Sequence, residues 1–155
     1  MSQKEKTMPR ILVIEDEELL RNLYSELLEM KGYTVETADD GNGALNYLEE
    51  NRKPELILLD INMPHMDGVD FLKRIKGDSK LKKIPVILIT GVIQVEKISS
   101  CLDLGAVGYI EKANSPVEVM SKIEMILGAV LNTPAAKNEM TAGPKKMGDL
   151  ELQSV

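Results

Sequence analysis

In this 155-residue chain, three acids, a hydroxyl and a lysine stand at the ends of short aliphatic runs. Glu15 and Asp16 follow Arg10 to Ile14, Asp60 follows Ile57-Leu58-Leu59, Thr90 follows Val86 to Ile89, and Lys112 follows Gly108 to Glu111. Taken singly, each has an ordinary explanation. Asp16 could cap a helix, Asp60 could form a turn, Thr90 could mark a strand exit, and Lys112 could be a solvated charge. Taken together they imply a site. Two carboxylates about 4 Å apart repel by about 4 kcal/mol at an effective dielectric near 20, so a cluster of three calls for a cation. A few carboxylates and waters suit magnesium, which pairs with phosphate oxygens, whereas the isolated His65 and Cys101 argue against zinc. With magnesium and a lysine in place, the natural guest is a phosphoryl group. A carboxylate can accept it as a nucleophile, and Asp60 is best placed to do so.

Such a site requires these groups to share an edge, and the patterning of the chain supplies one. Apolar runs without alternation, such as the residues before Asp60, belong to strands buried on both faces of a parallel sheet. The expected strands are Arg10 to Ile14, Tyr33 to Ala38, the run ending at Asp60, Val86 to Thr90 and Gly108 to Ile110. Between and after them lie helical spacings. Leu19, Leu20, Leu23, Leu27 and Leu28 predict a helix through Met30 that stops at Gly32, with Glu17 and Glu18 in its first turn. Asp39-Asp40-Gly41 is expected as a turn before a second helix carrying Ala44, Leu45 and Leu48. Val69, Phe71, Leu72 and Ile75 mark a third helix and Ile93 to Leu104 a fourth, while Pro116 opens a fifth that runs through Leu127. Five strand-helix alternations with short links predict a doubly wound, three-layer α/β sandwich with a five-stranded parallel sheet. In such folds ligands bind at the carboxyl ends of the strands, where the acids, Thr90 and Lys112 fall.

Composition narrows the class. A hydrophobic content of 43% supports one core, built from aliphatic side chains because aromatics are only 3%. The formal net charge of -6 argues against direct binding of nucleic acid. A lone cysteine fits a reducing compartment, and neither a membrane-spanning run nor a signal peptide is visible, so the expected location is cytoplasmic without membrane insertion. Residues 1–8 are expected to be a flexible start. Residues 132–155 change character, with Pro134, Gly143, Pro144 and Gly148 breaking periodicity, and are expected to form a disordered tail. No second domain is visible, so the expected output is docking to another protein.

Glu15-Asp16, the Asp60-x-x-Met63-Pro64-x-x-Asp67-Gly68 block, Thr90, and Gly105-Ala106-x-Gly108-Tyr109-x-x-Lys112 together carry a family pattern. From Met8 to about Leu131, the chain resembles the receiver domain of two-component response regulators. That resemblance implies the flavodoxin-like strand order 2-1-3-4-5. It implies Asp60 as phosphoacceptor, Asp16 as a direct magnesium ligand, Glu15 as a water-mediated one, and the backbone carbonyl of Asn62 as a further ligand. Lys112 and Thr90 would contact the phosphoryl oxygens, and Tyr109 would turn inward with Thr90 as a switch. The donor would be a histidine kinase or histidine phosphotransfer protein, and the output face would be the fourth helix, fifth strand and fifth helix. Such a chain is a signalling phosphoacceptor that catalyses only its own phosphorylation and dephosphorylation. One departure stands out. Receivers usually carry Pro after the lysine in a cis peptide bond, but Ala113 stands here, so either a trans bond with a rearranged loop or a strained cis bond is expected.

Two other readings compete. A magnesium phosphohydrolase with an aspartyl nucleophile would want a second acid two residues on, where Asn62 offers no proton. A non-catalytic nucleotide- or flavin-binding module would want a fuller glycine fingerprint than Gly41-Asn42-Gly43.

Overall fold

The computed structural model describes residues 9–50, 52–91, 94–112 and 115–131. The expectations for residues 1–8, for residues 132–155 and for Ala113 concern positions outside them. Five strands alternate with five helices: β1 (Arg10–Ile14), α1 (Glu18–Met30), β2 (Thr34–Ala38), α2 (Gly41–Glu50), β3 (Leu56–Asp60), α3 (Gly68–Lys76), β4 (Val86–Thr90), α4 (Val95–Asp103), β5 (Gly108–Glu111) and α5 (Pro116–Leu131). The strands form one parallel sheet in the order β2-β1-β3-β4-β5. This is the flavodoxin-like arrangement expected from the resemblance.

The central strands are buried because both faces of the sheet are covered. Every residue of β3 and β4 is buried, whereas β2 at the edge has only exposed and partly buried residues. Strand alternation sorts the aliphatic side chains into two cores. Leu12, Ile14, Ile57, Leu59, Val86 and Leu88 pack with Ala44 and Leu48 of α2, Phe71, Leu72 and Ile75 of α3, and Ile98 and Cys101 of α4. Ile11, Val13, Leu56, Leu58, Ile87 and Ile89 pack with Tyr24 and Leu28 of α1 and with Val119, Ile123 and Leu127 of α5.

Helix starts differ from the sequence expectation in informative ways. The turn before α2 is shorter than Asp39-Asp40-Gly41, because Gly41 is already helical and the Asp40 carboxylate accepts the Gly43 amide at 2.7 Å. Gly41 is also a close-approach site, since a Cβ there would lie 2.9 Å from the Met66 sulfur in the loop after β3. Helix α4 starts at Val95, two residues later than expected, and residues 92 and 93 lie outside the described set. Helix α5 begins with a reciprocal capping box that the sequence reading missed. Ser115 Oγ accepts the Glu118 amide at 3.2 Å, and Glu118 Oε1 accepts the Ser115 amide at 3.3 Å.

Candidate functional site

The ends of β1, β3, β4 and β5 meet at one edge of the sheet, as parallel pairing in register requires. Lys112 is held there by its backbone, whose amide donates to the Thr90 carbonyl at 2.8 Å. Its ammonium then reaches across to both neighbouring acids. It lies 3.0 Å from Glu15 Oε1, 3.1 Å from Glu15 Oε2 and 3.4 Å from Asp60 Oδ1.

Glu15 and Asp60 are each only 2% exposed. Asp16, by contrast, is exposed, and one carboxylate oxygen from each of Glu15, Asp16 and Asp60 can be chosen so that all lie within 4.8 Å of one another. The ordinary reading of Asp16 as a helix cap fails. Glu17 occupies the N-cap position of α1 with no side-chain cap of its own, and Glu15 Oε2 instead accepts the Glu17 amide at 3.1 Å. The Asp16 side chain is therefore not committed to the helix.

Electrostatics show what the cluster lacks. Burial pushes the Asp60 carboxyl up, and the Glu15 charge pushes it further; Lys112 opposes both, but the pKa still rises from 3.8 to about 7. Burial works in the opposite sense on Lys112, yet Asp60 and Glu15 outweigh it and leave the ammonium pKa raised. One lysine does not satisfy the pocket. Asp60 Oδ2 is a buried oxygen with no hydrogen-bond partner. A divalent cation fits this donor set, since it would take the orphaned oxygen as a ligand and relieve the repulsion between acids.

Thr90 is 1% exposed and shares the sheet face of Val86 and Leu88 by alternation. Tyr109 lies across from Leu88, is partly buried, and packs against the same core. The two expected switch residues thus share one face, two positions apart in register. Asn62 donates its backbone amide to Asp60 Oδ1 at 3.3 Å, which closes a tight turn directly after the acid. Gly68 makes that turn possible further on. Its amide donates to the Ile61 carbonyl at 2.7 Å, and a Cβ there would fall 2.7 Å from the Ile61 Cα.

The structure also adds three neighbours that sequence reasoning did not single out. Arg21 donates to the backbone carbonyls of Glu15 at 3.0 Å and Asp16 at 3.4 Å, pinning the acidic turn from the second turn of α1. Tyr24 lies buried under the cluster, where burial first and the Glu15 and Asp60 charges next push its pKa up to about 12. Lys97 of α4 contacts the loop after Asp60. A cation five residues after the acid pair was a usable signal for Arg21; nothing local announces the other two.

A family model described as the response regulator receiver domain matches residues 11–124. Among curated relatives, the phosphate regulon transcriptional regulatory protein PhoB of Escherichia coli is 36% identical over 131 residues, covering 84% of this chain and 56% of PhoB. The chain spans about half the length of the curated relatives first matched. Among solved structures, the chemotaxis response regulator CheY4 of Vibrio cholerae is 32% identical with a TM-score of 0.72, covering 78% of this chain and all of that one. The phosphorylated cyanobacterial phytochrome response regulator RcpA is 31% identical with a TM-score of 0.70, covering 78% of this chain and 92% of that one.

Proposed function

The chain belongs to the response regulator receiver domain family of two-component signalling, and on that premise we propose that Asp60 is its phosphoacceptor. The observation that carries this reading is the orphaned, buried Asp60 Oδ2 in a cluster of three acids that one lysine only partly neutralises. A similar protein, RcpA, has been solved in a phosphorylated form.

In the proposed reaction an Asp60 carboxylate oxygen attacks the phosphorus of a phosphohistidine on a kinase or phosphotransfer protein. The new O–P bond forms as the N–P bond breaks, and the histidine leaves with the electron pair. Magnesium would be held by the Asp16 and Asp60 carboxylates, the Asn62 carbonyl and, through water, Glu15. When bound, it supplies positive charge that stabilises the transferring phosphoryl oxygens. Lys112, which contacts both Glu15 and Asp60, supplies a second positive charge. It already lies 3.4 Å from Asp60 Oδ1, within reach of a group attached to that carboxylate.

Once the group is attached, the Thr90 hydroxyl donates to it and Tyr109 repacks on the face they share, biasing a pre-existing equilibrium of α4, β5 and α5. Moving such an equilibrium from 1:99 to 99:1 needs about 5.5 kcal/mol of differential stabilisation. The exposed Val95 and Leu102 of α4 and Val117 and Met125 of α5 supply apolar surface for a protein partner. Wild-type protein given magnesium and a small acyl phosphate should take up acid-labile, hydroxylamine-sensitive phosphate. Asp60→Asn should abolish that uptake, and full labelling of the variant would refute the assignment.

A further inference from the structure

The loop between Asp60 and α3 turns back on itself so tightly that its two ends emerge side by side. Gly68 is stacked on Ile61 at the closing end, and the Asn62 amide is turned onto Asp60 Oδ1 at the opening end. One ammonium can therefore touch both. Lys97, in the first turn of α4, lies 3.2 Å from Asp67 Oδ2 and 3.4 Å from Asn62 Oδ1. Asp67 in turn uses its other oxygen to cap α3, accepting the Asp70 amide at 3.0 Å. Burial raises the Asp67 pKa, but the Asp70 amide and Lys97 outweigh it and hold the carboxyl below its usual range. The carboxylate thus joins three elements: the loop, α3 and, through Lys97, α4.

We propose that Lys97 is a positioning residue for the Asp60 site, tying the Asn62 side chain and the Asp67 carboxylate to α4 and so fixing the peptide of Asn62 beside the acids. The proposal deepens the phosphoacceptor reading and rests on it for its consequence in phosphoryl lifetime. With the tie intact, Asn62 Oδ1 is engaged by the ammonium while the Asn62 backbone amide stays on Asp60 Oδ1. With the tie cut, the Asn62 side chain is free and water reaches the acyl phosphate more easily. Coupling of this kind runs both ways, so a displacement of α4 loosens the loop, and a change at Asp60 is felt at α4.

The test separates positioning from simple charge. Lys97→Met removes a positive charge near the pocket, and Asp67→Asn removes a negative one while keeping an oxygen to cap α3. A through-space charge effect gives these two variants opposite signs. A broken tie gives them the same sign and no added effect when combined. The expected result is a phosphoryl half-life shortened at least threefold in each variant and unchanged further in the double variant, with Lys97→Arg restoring it to within twofold. Backbone amide resonances of Asn62, Asp67 and Gly68 should shift, and their hydrogen exchange should quicken about fivefold, in the same variants without any phosphodonor. Opposite signs, or wild-type lifetimes and amide spectra in Lys97→Met, would overturn the proposal. If the wild type takes up no phosphate on Asp60, the phosphoacceptor reading falls instead, and the amide arm alone still decides whether Lys97 holds the loop.

Discussion

The bodies and the ends of the central strands are equally buried, yet they do opposite things for the fold. Leu58 and Leu59 are 2% and 0% exposed, and Asp60, next along the same strand, is 2% exposed. Removing the leucines from water is favourable because they are apolar and closely packed. Burying Asp60 beside Glu15 is unfavourable, because desolvation and a like charge both oppose ionisation and one lysine is shared between them. The difference teaches that burial alone does not distinguish stabilising from functional positions; the unmet hydrogen-bonding and charge requirement does.

The sharpest way to test that contrast is to mutate adjacent residues. Leu59→Ala should cost about 2 to 5 kcal/mol in chemical denaturation, since it leaves a cavity in the core shared with α2 and α3. Asp60→Asn should move stability in the opposite direction; a loss as large as that of Leu59→Ala would break the contrast. Magnesium should then stabilise the wild type by up to about 2.7 kcal/mol at a hundredfold excess over its dissociation constant, seen as a rise in Tm, and Asp60→Asn or Asp16→Asn should lose most of that gain. A rise of equal size in Asp60→Asn would place the cation elsewhere.

The pH dependence has a definite sign. Unfolded, Asp60 titrates near 3.8; folded, it titrates near 7. Between those values the folded chain holds a proton that the unfolded chain has lost, so this group's contribution to stability is greatest below the lower value. It declines as pH rises through the window and levels off above it. The slope of stability against pH between about 4 and 7 should therefore be less negative in Asp60→Asn than in wild type, and identical slopes would refute the coupling. The smallest effect concerns the lysine's loop. Ser115→Ala removes half of the capping box that starts α5 just beyond Lys112, and should cost about 1 kcal/mol while leaving the Asp60 titration in place.

Much of this architecture could be read directly from the residues. The strand bodies were legible because Ile57-Leu58-Leu59 and Val86-Ile87-Leu88-Ile89 are continuous aliphatic runs, and a run of that kind has one stable home, the middle of a covered sheet. The polar strand ends were legible for the same reason, since a charge after such a run must sit where the run leaves the core. The turn before α2 is one residue shorter than expected because Gly41-Asn42-Gly43 has poor helix propensity, which Asp40 capping overrides. The role of Glu15 at the start of α1 is not legible in sequence because a glutamate two residues before the N-cap carries no fixed geometry there.

By itself the sequence determined the layered α/β architecture and the set of groups gathered at one sheet edge, because hydrophobic periodicity and strand polarity are local properties that parallel pairing projects into space. Only the tertiary structure decided how those groups share their charges. Lys112 lies between Glu15 and Asp60, Asp60 Oδ2 has no hydrogen-bond partner, and Lys97 reaches from α4 to Asn62 and Asp67 across 35 and 30 positions of sequence. Contacts of that kind depend on distances set by how strands pair and helices pack on the sheet, and no local pattern of residues encodes them.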